Sequence, residues 1–330
     1  MINIKMFLIT AALTFILTVV FTKKIIPILK MKKLGQKILN IGPNWHKGKE
    51  GTPTMGGVAF VSASIIAIIV TIIAFKTEIS KREIQAIIVV FLYGLLNCLV
   101  GIIDDIAKIK KAKNEGLTPI GKLVFQAILA VLFLITLKST VGLSTIIKIP
   151  FSNIQIDFGT FFYIFAFLLL CGTVNAVNLT DGLDGLASTC VLTVGMFLSF
   201  TGIIKLESSS ISIIGAILIG STLGFLVFNL HPAKIFMGDT GSLFFGGLVV
   251  GASFIVGNPL IVVFYGFIFM CEALSDILQV SYFKITKGKR LLKMAPLHHH
   301  LEKCGYSEIK IVSVFSIINA IFCIIAYFGL

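Results

Sequence analysis

From one end of the chain to the other, apolar runs about twenty residues long recur, and no other feature so limits what the sequence can fold into. They cover roughly 4–22, 56–75, 84–103, 119–137, 159–178, 185–204, 210–229, 241–257, 260–283 and 310–329. A run of about 18 or more apolar residues is long enough to cross a hydrocarbon core as a helix. Lipid offers no hydrogen bonds, so the backbone of each run must satisfy itself; the expected fold is an all-α integral membrane protein with about ten transmembrane helices. Composition agrees, since 57% of the residues are hydrophobic and only 13% are charged. The chain reads as one polytopic domain over 1–330, without a soluble domain, an internal repeat or a low-complexity tail. Its apolar start carries Lys5 but no small-residue cleavage site, and reads as a retained anchor.

The connecting segments alternate in charge. Those at 23–55, 104–118, 179–184, 230–240 and 284–310, with the adjoining helix ends, hold 21 of the 28 basic residues. The excess of positive charge assigns this set to the cytoplasm and both termini to the outside of the cell membrane. All five histidines and the single tryptophan, Trp45, lie on the same face, which no orientation rule requires. The net charge of +13 resides in short loops rather than on a polar face, so the expected partners are the lipid bilayer and anionic substrates, not nucleic acid. On the other face only 139–158 is more than a short link. Its alternation Ile147-Lys148-Ile149 and Ile154-Gln155-Ile156-Asp157-Phe158 around Pro150 to Asn153 reads as a small structural hairpin. The six cysteines form no CxxC pair and read as packing residues.

Polar motifs interrupt this pattern at the ends of the runs. Asn175-Ala176-Val177-Asn178-Leu179-Thr180-Asp181-Gly182-Leu183-Asp184-Gly185 places two amides and two carboxylates at the mouth of two apolar runs. An Asp at mid-membrane costs about 2.5–3.5 kcal/mol on insertion scales, so such groups mark sites. If the sixth helix starts near Thr180, with Thr180 or Asp181 as its cap, Asp181 and Asp184 share one face. Asp104-Asp105 follows the third run with no polar buffer. Adjacent carboxylates repel, which suits a bound cation or proton, although a solvated helix end countered by Lys108, Lys110 and Lys111 would look the same. His231-Pro232-Ala233-Lys234-Ile235-Phe236-Met237-Gly238-Asp239-Thr240-Gly241-Ser242 sets glycines, a carboxylate and hydroxyls at a helix N-terminus, suited to phosphate or Mg²⁺.

Three further features are less specific. Gly51-Thr52-Pro53-Thr54-Met55-Gly56-Gly57, preceded by His46 and Lys49, can clamp an anion or simply begin a helix. Pro296-Leu297-His298-His299-His300-Leu301-Glu302 can contact phosphate, shuttle protons or shape a loop; consecutive histidines are a poor tetrahedral zinc set. Glu272 and Asp276, spaced i, i+4 inside the ninth run, are what a proton-coupled transporter would carry.

Taken together, GTPTMGG at 51–57, Asp104-Asp105, NAVNLTDGLDGLA at 175–187, HPAKIFMGDTGSL at 231–243 and PLHHHLE at 296–302 resemble the polyprenyl-phosphate N-acetylhexosamine-1-phosphate transferases. Within them the GTPTMGG and PLHHH forms are similar to the phospho-N-acetylmuramoyl-pentapeptide transferase branch. The resemblance implies Mg²⁺-dependent transfer of phospho-N-acetylmuramoyl-pentapeptide from its UDP conjugate to undecaprenyl phosphate, giving lipid I and UMP. It implies Asp104, Asp105 and Asp239 as catalytic carboxylates: Asp239 as the Mg²⁺ ligand, Asp104 taking a proton from the acceptor and Asp105 positioning it. It further implies Lys49, Asn178, Asp181, Asp184, Phe236 and Gly238 around the uridine diphosphate, with the Phe236 ring as a stacking face. His298, His299 and His300 would meet the donor's phosphates or its sugar-peptide part, and Lys122 with its neighbours in 108–122 the lipid phosphate. The segment 35–43 departs from the family by carrying apolar or neutral residues where relatives often have Arg and acidic ones. An N-acetylglucosamine-1-phosphate transferase is the nearest alternative activity, a transporter the distant one, and a homodimer is left open.

Overall fold

A computed structural model describes residues 4–31, 49, 51–111 and 116–330. Trp45, His46, the segment 35–43 and the side chains of Lys110 and Lys111 lie outside the described residues. The helices are α1 (Ile4–Met31), α2 (Gly57–Ala74), α3 (Lys81–Lys111), α4 (Pro119–Thr140), α5 (Phe161–Thr180) and α6 (Leu186–Phe200). They continue with α7 (Ser209–Asn229), α8 (Gly238–Ile255), α9 (Val262–Tyr265), α10 (Phe267–Ile285), α11 (Leu297–Lys303) and α12 (Glu308–Gly329). Among the described residues nine helices are long and apolar enough to cross a membrane, and the stretch holding α9 and α10 makes a tenth if this bent pair counts as one broken span. The expected all-helical membrane architecture is therefore present.

Burial ranks the helices. In α8 and α7, 83% and 78% of the spanning window is buried, against 22% in α1 and 28% in α4, so α7 and α8 form the centre of the bundle. α8 packs along α3, α5 and α2. Between α2 and α8, the rings of Phe60 and Phe245 stack with centroids 4.5 Å apart, and Phe225 and Phe244 close around them. This packing fixes the N-terminus of α8, where Asp239 sits. α1 instead buries a stripe of threonines, Thr10, Thr14, Thr18 and Thr22, against the bundle. The Thr10 and Thr14 hydroxyls donate to carbonyls one turn back, which pairs these two donors within the helix, whereas the Thr18 and Thr22 hydroxyls meet no partner.

The structure departs from the sequence expectations at three places. α3 does not stop with its apolar residues near 103 but runs to Lys111, because Lys108 reaches back 2.6 Å to Asp104 one turn earlier and the ion pair carries the helix onward. The sixth helix does not start near Thr180. α5 continues to Thr180 with Asp181 as its C-cap, and α6 begins at Leu186 after Gly185, whose φ of +79° ends the intervening turn. Asp181 and Asp184 thus belong to a turn rather than to one helical face. The ninth run is broken, with α9 and α10 bent by 87° across Gly266. Asn319 of α12 makes that break tolerable: its amide donates to the Tyr265 carbonyl, and its oxygen accepts from the Ile268 N–H.

The hairpin forms as expected, with β1 (Ile146–Lys148) and β2 (Gln155–Asp157) antiparallel and Ile147 opposite Ile156. Asn258 donates to the Lys148 carbonyl and Lys148 Nζ donates to the carbonyl oxygen of Leu330, so the hairpin braces this end of the bundle.

Candidate active site

At the opposite end of the bundle the polar motifs converge. Asp104 and Asp105, one helical step apart on α3, are each 3% exposed, so they are not a solvated helix end. Asp239 in the first turn of α8 joins them, and one oxygen from each of the three lies within 4.8 Å of the others. Two ammonium groups hold the carboxylates together. Lys108 Nζ lies 2.6 Å from Asp104, 3.1 Å from Asp239 and 4.0 Å from Asp105, while Lys122 Nζ, at the start of α4, lies 2.5 Å from Asp239. Asn178 of α5 completes the ring, accepting from Lys122 at 3.2 Å and donating to Asp239 at 3.1 Å and to the Ser242 hydroxyl at 2.7 Å. Lys108, read from sequence as a counter-charge and as one of the neighbours of Lys122 in 108–122, proves central. Its spacing of i+4 from Asp104 and i+3 from Asp105 was the available signal. Desolvating several charges at one place rarely gains stability, so a cluster of this kind marks function more than it does folding.

The three carboxylates are not equivalent. Asp105 turns both oxygens to the N-terminus of α8: Oδ1 accepts from the Asp239 N–H at 3.2 Å, and Oδ2 from the Thr240 N–H and hydroxyl at 2.9 and 2.7 Å. It therefore caps a helix of another segment and fixes the backbone that presents Asp239. Asp104 accepts the Leu117 N–H at 2.8 Å, which draws the start of α4 inward. One turn before Asp105, Gly101 abuts the Asp239 carbonyl so closely that any Cβ would overlap it. Lys122 occupies a boundary: its ammonium points to Asp239, whereas Ile120, Leu123, Val124 and Phe125 around it are exposed on the flank of the bundle.

A second cluster lies beside the first. Lys49 Nζ bridges Asp184 at 2.7 Å and Glu308 at 2.6 Å, and His231 Nδ1 faces the same two carboxylates at 3.1 and 3.3 Å. The Ala233 N–H also donates to Asp184 at 3.0 Å. Glu308, in the first turn of α12, is a site residue that sequence reading missed. An acid just after the Ser307 cap looks like ordinary helix capping, so nothing local sets it apart. The GTPTMGG stretch backs both clusters, since Phe236 N–H donates to the Pro53 carbonyl, and Gly56 and Gly57 N–H donate to the Phe236 and Met237 carbonyls. Gly238 rests against Asp105 and Thr54.

Asp181 stands between the clusters, half-buried. Burial, then the negative charges of Asp239, Asp105 and Asp184, raise its pKa well above the usual carboxylate value. Below the unfolded-chain pKa of about 3.9 both folded and unfolded states are protonated and nothing is lost; above it the unfolded chain ionises freely and the folded one does not, so stability falls as pH rises. Asp181→Asn is accordingly expected to raise the melting temperature at pH 7 relative to the parent. The gain should shrink to nothing near pH 4, as thermal unfolding across that range would record.

The three histidines separate. His298 is buried and its Nδ1 lies 2.8 Å from Glu272 Oε2. His299 pairs with Glu302 at 2.8 Å, and His300 Nδ1 accepts the Lys293 N–H at 3.1 Å. His298 lies against Gly182 and so ties this group to the acidic turn. The intramembrane pair read from sequence also divides, with Glu272 buried and Asp276 half-exposed beside Lys284, Arg290 and Lys303.

As a metal site the first cluster fits a hard divalent cation, being three carboxylates with Lys108 standing where positive charge is needed. In the second, Lys49 already bridges two of the three ligands, which makes it an ion-pair lattice.

Comparison with known proteins accords with this geometry. The profile of Glycosyl transferase family 4 matches residues 87–257, the stretch from α3 through α8 that holds Asp104, Lys122, Asn178 and Asp239. The phospho-N-acetylmuramoyl-pentapeptide-transferase signature 1 matches residues 49–61, from Lys49 through the backing loop into α2. A phospho-N-acetylmuramoyl-pentapeptide-transferase of Clostridium perfringens is 45% identical over 320 residues, 96% of each chain. That of Listeria monocytogenes is 42% identical over 327 residues, 98% of each chain. The one from Halalkalibacterium halodurans is 40% identical over 328 residues, 98% of this chain and 97% of its own. Identity of that order over nearly the whole length, with the signature on the loop behind the carboxylates, means that the chain belongs to the phospho-N-acetylmuramoyl-pentapeptide-transferase family.

Proposed function

We propose that this phosphotransferase moves phospho-N-acetylmuramoyl-pentapeptide from UDP to undecaprenyl phosphate, forming lipid I and releasing UMP. The observation that carries the reading is the buried Asp104–Asp105–Asp239 cluster bridged by Lys108 and Lys122 at the ends of membrane helices. Phosphoryl transfer between two anions needs charge neutralisation and alignment more than covalent chemistry. An oxygen of the acceptor phosphate attacks the sugar-linked phosphorus of the donor, and the bond to the UMP oxygen breaks.

Lys122, set between the lipid-facing flank of α4 and Asp239, holds the acceptor phosphate. Asp104 takes its proton, with Lys108 paired to that carboxylate at 2.6 Å. Asp105 acts through α8, fixing Asp239 and Thr240 rather than touching substrate. Lys49, Asn178, Asp181, Asp184, Phe236 and Gly238 surround the uridine diphosphate. Mg²⁺ held by Asp239 would neutralise the donor's diphosphate and polarise the bond to UMP. The basic face that carries these groups faces the cytoplasm, with both termini on the other side of the cell membrane.

Purified protein should form a lipid-linked product and UMP in stoichiometric amounts from UDP-N-acetylmuramoyl-pentapeptide and undecaprenyl phosphate, and only with Mg²⁺ present. Product formed solely from UDP-N-acetylglucosamine would transfer the assignment to the neighbouring branch, and no product from either donor would end it.

A further inference from the structure

Glu272 has no role in the chemistry above, yet it is the most deeply buried acid described, at 0% exposed. One of its oxygens meets His298 Nδ1 at 2.8 Å and the other accepts the His298 backbone N–H at 3.2 Å. A single carboxylate therefore fixes both the imidazole and the first turn of α11, the short helix that carries it. With Nδ1 committed to a carboxylate, the outward nitrogen is Nε2, and no hydrogen-bond partner meets it although it is buried. Nε2 rests on the α5–α6 turn at Gly182, where any Cβ would overlap it. That turn carries Asp181 on one side and Asp184 on the other.

A simple tie between α10 and α11 would explain the Glu272–His298 pair alone. It would not explain a buried ring nitrogen left without a partner, nor its seat against Gly182, a residue of the turn that has no side chain. Buried polar atoms without partners are costly and persist mainly where a ligand or mechanism uses them.

We infer that Glu272 is a positioning residue for the donor subsite. It orients His298 against the Gly182 turn, and through that contact sets the placement of Asp181 and Asp184, with Nε2, the acceptor nitrogen of a ring whose Nδ1–H is given to Glu272, aimed to accept from a hydroxyl of the nucleotide-linked donor as the turn adjusts around it. The inference rests on the reading above that this turn holds the nucleotide half of the donor. It makes no claim on the acceptor, which lies with Lys122 and Asp239.

The test measures KM for donor and for acceptor separately, with melting temperature, in Glu272→Gln, His298→Gln and the double variant. Glu272→Gln keeps the volume but supplies one oxygen where two are used. Its KM for the UDP-linked donor is expected to rise about tenfold or more, the scale at which loss of a carboxylate orienting a histidine is felt, with the acceptor KM within about twofold. In the His298→Gln background, Glu272→Gln should add nothing. Equal changes in both KM values, a fall in kcat that merely follows the loss of folded protein, or multiplying effects in the double variant would each overturn the inference. Should Glu272→Gln fail to fold, Gly182→Ala approaches Nε2 from the other side and must give the same selective rise in donor KM; an unchanged donor KM sinks the idea. If the parent makes product only from UDP-N-acetylglucosamine, the same measurements apply to that donor, so failure of the substrate assignment and failure of the Glu272 role remain distinguishable.

Discussion

Asp239→Ala is expected to lower turnover about a thousandfold or more, at saturating donor and acceptor, with the protein still folded in detergent. Removing a single preorganised electrostatic group from a transferring centre costs about 10²–10³ in rate, and Asp239 does more than one such group. It is where Lys108, Lys122 and Asn178 meet, and one of the three carboxylates close enough together to hold a divalent cation. Its loss leaves two ammonium groups close together with one balancing charge fewer, so the geometry fails along with the charge. Quantifying labelled lipid-linked product, beside a thermal melt, separates this from unfolding. Asp276→Ala is the complementary control. A transporter organised around Glu272 and Asp276 would suffer more from that change than from Asp239→Ala. In the structure Asp276 sits half-exposed in a basic groove of about 330 Å³, apart from the carboxylate cluster.

Gly101→Val is expected to reduce transfer about a hundredfold while leaving the donor's uridine contacts in place. The branched side chain would have to occupy the volume of the Asp239 carbonyl, pushing the first turn of α8 away from Asp105. A displacement of about 1 Å at a reacting centre costs on the order of 10²-fold. Gly101→Ala should show the same defect in milder form. Gly172→Ala on α5, where a Cβ meets nothing within 4 Å, should be neutral. Full activity in Gly101→Val would mean that the Asp105–α8 contact has no bearing on catalysis.

The spans were legible because hydrophobicity has one meaning over twenty residues: a run that long must cross lipid or be buried. The limits of that signal are equally physical. Asp104 and Asp105 end the apolar run but not the helix, because Lys108 supports a further turn that hydropathy does not see. The break at Gly266 lies inside an unbroken apolar run, and what permits it is Asn319, more than fifty residues later. The carboxylates of the site could be picked out one motif at a time, since each stands at the mouth of an apolar run. Their partners could not be sorted the same way. Glu308 resembles a cap, and Glu272 resembles a transporter's proton carrier until the fold brings His298 onto it. Within the PLHHH motif, sequence treats three adjacent histidines alike, whereas packing gives each a different neighbour.

The position of Lys122 changes what concentration means for this protein. Its ammonium belongs to the polar cluster while the residues beside it, Ile120, Leu123, Val124 and Phe125, form part of the outer apolar flank. A lipid-borne acceptor can reach such a group by sliding in the plane of the bilayer, a search in two dimensions. Its half-saturation is then set by molecules per unit area of membrane. Adding inert lipid at constant total acceptor should slow the reaction, and diluting the same vesicles with buffer should not.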